Sequence, residues 1–203
     1  MFNDRYGLTA AVLQGRKTMT RRIVPTQYVP MIEDGLQGAA LIEAQRHGDA
    51  YRENEVLAVA QSYENVHDYY FDCGDDDHLT EILDYYLTPG WSNKMFVRPD
   101  LMPHQIQITD INIERLQDIT DEDCLKEGIR LYTTGIPQCK TQVVGSLEFI
   151  PPYGFDDYHH KHFCNFDTPR EAFATLINRP GVGRKGLWEE NPFVFAYSFK
   201  LIN

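Results

Sequence analysis

Basic residues are scarce in this chain: nineteen Lys and Arg stand against thirty Asp and Glu, for a formal net charge of −11 and an isoelectric point near 5.0. That balance argues against a protein that coats duplex DNA or an anionic membrane, since both need broad basic surfaces. It leaves room for a small electropositive pocket sized for one nucleotide or a short single strand. Cysteine is sparse as well. Cys73, Cys124, Cys139 and Cys164 are widely spaced and form no C-x-x-C pair, so neither a disulfide framework nor a structural zinc site is expected. No apolar run reaches the length of about eighteen residues that a membrane-spanning helix needs. Met1-Phe2-Asn3-Asp4-Arg5 lacks the basic-then-apolar order of a secretory signal, so the cytoplasm is the expected location. There is no internal repeat and no low-complexity tract.

What is present is ordinary for a globular domain: 203 residues, 42% hydrophobic and 24% charged. Residues 4–14 read as a short helix that Gly15 ends, and Thr18 to Val24 as a strand stopped by Pro25. Residues 25–52 mix Gly, Pro and polar residues and read as a loop-rich connection. Val56 to Ala60 reads as a short buried strand. Residues 63–91 are aromatic and acidic, an excursion with a short helix near 78–86, and Asp72, Asp75, Asp76 and Asp77 around Gly74 read as a solvated turn. The clearest strand spans 104–116, where Ile106, Ile108, Ile111 and Ile113 alternate with polar residues and the parity change at Asp110 predicts a bulge. Thr120 caps a helix whose first turn carries Asp121 to Asp123 and whose end is Gly128. Residues 130–167 form a further excursion. Thr168-Pro169-Arg170-Glu171 combines an N-cap, Pro at the first helical position and Glu three residues on, a strong helix start. Pro192 to Ile202 is a closing strand with Phe193, Phe195, Tyr197, Phe199 and Leu201 on one face. The expected fold is α+β: a small mixed β-barrel with two or three short helices and long insertions, all in one domain.

One segment stands out against the acidic background. Gly15-Arg16-Lys17-Thr18-Met19-Thr20-Arg21-Arg22 puts four cations and two hydroxyls into eight residues with no acid among them. Such a cluster builds a local field for an anion. Lys17 and Thr20 also pair a proton acceptor with a nucleophile. In an ideal strand, positions 17 and 20 point to opposite faces. They converge only if Lys17 stands on a turn or bulge before the strand, which Gly15 makes available.

The order of these pieces resembles the ASCH domain of the PUA-like superfamily. The residues that carry the likeness are the helix leading into Gly15 to Arg22, then Glu55-Val56-Leu57-Ala58-Val59, Met102-Pro103 and Glu114-Arg115-Leu116-Gln117-Asp118-Ile119. Glu127-Gly128-Ile129 and Trp188…Asn191-Pro192-Phe193-Val194-Phe195 follow in the same order. The likeness is nearest to the larger members common in phages and prophages, and covers most of the chain apart from roughly residues 25–50, 62–92 and 130–165. It implies a PUA-like β-barrel with a nucleoside- or RNA-binding cleft. Small bacterial members are amidohydrolases acting on N4-acetylcytidine with a Lys, a Thr and a Glu. By the resemblance these are Lys17, Thr20 and Glu127. The cationic segment itself offers Arg16, Arg21 and Arg22 as nucleoside or anion contacts.

Three functions follow as expectations: a metal-free, cofactor-free amidohydrolase on an acylated cytidine or related base; a non-catalytic reader of RNA or a modified nucleotide in the same cleft; and a phage-related interaction module whose surface is residues 62–92 and 130–165. Lesser features point elsewhere. Tyr158-His159-His160-Lys161-His162 with Cys164 has the composition of a metal cluster, but adjacent loop histidines rarely converge on one ion. Gly181-Val182-Gly183-Arg184-Lys185-Gly186 reads as a flexible loop rather than a phosphate loop, since no Walker Lys-Ser/Thr follows it; Arg184 and Lys185 could contact a nucleic-acid backbone. Tyr69, Tyr70, Tyr153 and Tyr158 are candidates for base stacking, whereas Trp91 and Trp188 read as packing residues.

Overall fold

The structure is a computed structural model that describes residues 2–131, 153–157 and 162–202. The elements run α1 (Leu8–Leu13), β1 (Met19–Ile23), α2 (Val29–Glu33), α3 (Gln37–His47), β2 (Val56–Ala58), α4 (Tyr63–Cys73), α5 (Asp76–Leu83), β3 (Gln105–Arg115), α6 (Asp121–Lys126) and β4 (Arg130–Leu131). β5 (Tyr153–Asp157), β6 (His162–Phe166), α7 (Pro169–Ile177), α8 (Leu187–Glu190) and β7 (Phe193–Ile202) complete the order. Four strands in the order β1-β7-β3-β2, all antiparallel, curl into a half-barrel; β4-β5-β6 form a second, smaller antiparallel sheet. The fold is α+β.

The bulge in β3 is where the isoleucines place it. The register against β7 slips by one residue between Ile108 and Asp110, leaving Thr109 unpaired. Because side chains alternate along a strand, one extra residue restores the parity. Ile106, Ile108, Ile111 and Ile113 therefore all face one core with Phe193, Phe195, Tyr197, Phe199 and Leu201 of β7. The helix caps are also as expected. Thr120 Oγ1 accepts from Asp123 N–H and Thr168 Oγ1 from Glu171 N–H, each bond contributing about 1 kcal/mol.

The expected two or three helices become eight among the described residues. Residues 25–52 are not a loop-rich connection: α2 and α3 lie there, and Tyr28, Ile32, Ala40 and Ala44 enter the main core. The signal was weak because α3 buries only Ala40 and Ala44, small residues that leave little apolar contrast along the helix. Residues 63–83 hold two helices, α4 and α5. Ser62 Oγ accepts from Asn65 N–H, and Asp75 Oδ1 from His78 N–H. Of the aspartates expected in a solvated turn, Asp72 lies in the last turn of α4, Asp75 caps α5, and Asp76 and Asp77 form its acidic first turn. This pair builds its own small core from Tyr63, Val66, Ile82, Leu101 and Met102. β2 is half-exposed rather than buried, with Val56 at the surface, because it is an edge of the sheet.

Candidate functional site

The chain leaves α1 through Gly15, whose φ of +69° is open to glycine at little cost. Gly15 N–H bonds back to Val12 O, and the N–H groups of Arg16 and Lys17 both bond to Ala11 O. Lys17 is thereby held on a turn before β1 begins, so the alternation of the strand does not govern it. Thr18 N–H then bonds to Lys126 O, tying the entry of β1 to the end of α6. Glu127 is the C-cap of α6, and Gly128, at φ +106°, turns the chain away beside Lys17.

Lys17 and Glu127 meet in the interior, 3% and 5% exposed. Lys17 Nζ donates to Glu127 Oε2 at 2.5 Å, to Glu127 O at 2.9 Å and to Met19 O at 2.7 Å, so all three ammonium protons have an acceptor. Glu127 Oε1 takes a second cation, Arg21, at 3.0 Å. Arg21 also reaches Glu114 through Nε at 2.8 Å, and its ion pair with Asp123 is 3.6 Å long. The route across the sheet is open because Ala196 on β7 stands directly opposite Arg21, and a methyl group leaves space for the guanidinium to lie over it. Burial pushes the Lys17 pKa below its ordinary 10.5. Glu127 resists that shift, while Arg21 and Arg22 add to it.

A cavity of about 80 Å³ opens beside this cluster, lined by Lys17, Thr20, Arg21, Arg22 and Glu127 on its polar side. Phe2, Leu8, Phe173, Leu176, Ile177 and Val182 form the apolar side. Three consecutive residues of one strand can border one cavity only at the strand's edge, because their side chains alternate. β1 is an edge strand. Phe199 N–H bonds to Thr18 O and Val24 N–H to Phe193 O. The alternation of an antiparallel ladder therefore turns the backbone N–H and C=O of Met19, Arg21 and Ile23 away from β7. Met19 O is taken by Lys17; Arg21 N–H lies on the open edge of β1, and Arg21 is one of the residues lining the cavity. The Thr20 side chain is half-buried on the same wall and has no hydrogen-bond partner among the described residues. Searches against protein-family models, curated proteins and solved structures return no match.

The expected site residues thus separate into two groups. Lys17, Thr20, Glu127, Arg21 and Arg22 share the cavity; Arg16 does not, and its Nε and Nη2 hold Gln14 Oε1 at the surface. The expected electropositive field is largely cancelled, because Lys17 and Arg21 face Glu127, Glu114 and Asp123. Arg22 is exposed, its guanidinium carbon 5.9 Å from the centre of the Tyr51 ring.

Asp123 and Glu114 were missed as site residues. The first read as a helix-dipole acid and the second as a strand position, and only the register across β7 brings Glu114 to Arg21. Gly181 to Gly186 is not a free loop: Pro180 bridges Gly183, Gly181 and Val182 line the cavity, and Arg184 pairs with Glu190 rather than waiting for a phosphate. Tyr69 packs edge-on against His104, and Tyr70 stacks on His78. The base-stacking candidate Tyr158 and the histidines at 159 and 160 lie outside the described residues, as does Cys139; the side chains of Tyr153, His162 and Cys164 are likewise not described. Among the described residues no group of His, Cys, Asp and Glu could hold a metal ion, and no helix is long and apolar enough to cross a membrane.

Proposed function

We propose that the cavity is the acyl-transfer site of an amidohydrolase acting on an N4-acylated cytidine or a related modified base, within a PUA-like fold of the ASCH type. The observation that carries the reading is that Lys17 and Thr20, from a turn and the strand that follows it, share one cavity with Glu127, from a helix end 110 residues further along the chain. In this scheme the Thr20 hydroxyl attacks the amide carbonyl, and its proton passes to the neutral amine of Lys17. Burial favours that neutral form. The oxyanion takes a hydrogen bond from Arg21 N–H on the open strand edge, a fixed donor of the kind that stabilises tetrahedral intermediates. Lys17 returns the proton to the departing amine nitrogen as the carbon–nitrogen bond breaks, leaving an ester on Thr20 Oγ1. Water, deprotonated by the same amine, cleaves that ester to free the carboxylic acid and restore Thr20. Glu127 holds Lys17 in place and balances its charge when it is protonated. The compensated cations favour an uncharged base over a polyanion, and the small cavity suits the reacting end of a nucleoside.

The test is hydrolysis of N4-acetylcytidine followed by chromatography. Turnover by the wild type that is abolished in both Lys17→Ala and Thr20→Ala supports the reading. Absence of turnover across a series of acylated cytidines sinks it. One observation favours a second reading, a binder of the modified base: all three Lys17 protons are already accepted, which is the geometry of a fixed ammonium rather than a base. In that case Thr20→Ala retains ligand affinity, read by calorimetry.

A further inference from the structure

The helix pair α4–α5 carries an exposed surface that the cavity chemistry does not use. Phe71, 67% exposed, lies face to face with His67 at 6.4 Å between ring centres; His67 meets Trp91 at 5.9 Å, and Trp91 meets the exposed Tyr86 edge-on at 5.0 Å. The four rings form one continuous row. Trp91, in the middle of it, packs against the small core of this helix pair as expected and is half-exposed. Two further large apolar side chains of the same region are exposed. Leu87 follows Tyr86 and is 77% exposed, and Phe96 is 76% exposed. Phe96 follows Met95, whose carbonyl lies 3.3 Å from where a Cβ on Gly90 would stand. Leu87 and Phe96 both have positive φ, +60° and +69°. For bulky side chains that conformation costs about 1–2 kcal/mol each. The backbone is strained where it presents two large apolar groups to water.

A second row runs beside the first. Glu64, Asp68 and Asp72 stand at i, i+4 and i+8 on α4, next to His67 and Phe71. Like charges at that spacing weaken a helix by a few tenths of a kcal/mol per pair, and Asp72 also sits in the last turn, at the negative end of the dipole. Residues 62–100 hold nine Asp and Glu against Lys94 and Arg98. Lys94 is buried against Asp4, and Arg98 is paired with Asp100. Glu64 suits the first turn of α4, and Asp68 lies 3.2 Å from His67 Nδ1 inside the ring row; Asp72 has neither support.

We propose that this face docks an arginine-rich segment of a partner protein, its guanidinium groups stacked on the Phe71–His67–Trp91–Tyr86 row and paired with Glu64, Asp68 and Asp72. Arginine is the side chain that does both, since its planar cation lies flat on aromatic rings and forks onto carboxylates. Nucleic acid could use the rings but is repelled by the acids. A second copy of this chain would bring the same acidic face against itself.

The test titrates the whole protein into a fluorescein-labelled peptide of alternating arginine and leucine and reads anisotropy. Parallel probes replace the arginines by lysine or by glutamate, and a labelled oligo-uridine serves as the nucleic-acid probe. Saturable binding in the order arginine, lysine, glutamate is expected. Phe71→Ser/Tyr86→Ser should weaken the arginine peptide by about tenfold. Both side chains are exposed, so an unchanged melting temperature will show that the fold survives. The idea is overturned by equal binding in that variant, which would mean charge attraction alone. It is equally overturned by preference for the oligo-uridine, or by no binding of the arginine peptide at low salt.

Discussion

Replacing Glu127 by Gln isolates the buried ion cluster. In the wild type each carboxylate oxygen serves one cation, Oε2 for Lys17 at 2.5 Å and Oε1 for Arg21 at 3.0 Å. An amide of the same shape keeps one acceptor, and its NH₂ must face the other cation, donor against donor. Removing one partner of a buried pair costs about 3–5 kcal/mol. Lys17 limits that loss because burial already favours its neutral form, and Arg21 keeps Glu114 and Asp123. The lower end, about 3 kcal/mol, is expected, a fall in Tm of roughly 6–12 °C for a chain of this size.

The pH dependence carries the sharper test. Glu127 is what resists the lowering of the Lys17 pKa, so its removal lowers that pKa further. Between a lowered folded value and the ordinary 10.5, the unfolded chain binds more protons than the native one, and stability rises with pH. In the Gln variant that rise should begin at lower pH. Cys124 and Tyr197 act in the opposite sense. Burial pushes both up to about 12, so their contributions are present below the ordinary 9.0 and 10.0 and are lost as pH climbs toward 12. The signal is therefore the difference between variant and wild-type melting curves, followed by circular dichroism from neutral pH to the lysine range. A variant within about 1 kcal/mol of the wild type, with a parallel pH profile, would refute the claim that the cluster is dry and mutually dependent.

Three further substitutions probe how the scaffold holds the site. Gly128→Ala places a Cβ 3.2 Å from Leu8 Cδ2 at φ +106°, beside the Lys17 stem. It should cost roughly 1–3 kcal/mol in denaturant melts and reduce any cavity-dependent turnover further than that loss alone explains. Gly183→Ala sets a Cβ 2.1 Å from Ile177 O, a backbone atom that cannot swing aside, so a loss of about 3 kcal/mol or more is expected, visible as a lowered Tm. Thr120→Ala deprives Asp123 N–H of its cap at the start of α6 and should lower stability by about 1 kcal/mol. An unchanged urea midpoint there would show that water replaces the hydroxyl without loss.

Some of this protein was determined by local chemistry, and that part was legible in the sequence. The caps at Thr120 and Thr168, the bulge that keeps four isoleucines on one face, and the aromatic face of β7 all follow from rules acting within a few residues. The turn at Gly15, which holds Lys17 outside the strand, belongs with them. Other features depended on partners remote in the chain. α3 is helical with scarcely any apolar stripe, because Ala40 and Ala44 need only the core laid against them. Whether Arg16, Lys17, Arg21 and Arg22 formed an anion field or an ion cluster could not be read from their spacing. Charge compensation is decided by which carboxylates arrive, and Glu114 arrives through the β1-β7-β3 register while Glu127 and Asp123 arrive with α6. Exposure was undecidable for the same reason: a ring such as Trp91 is core or surface according to what packs over it, and only the tertiary structure sets that.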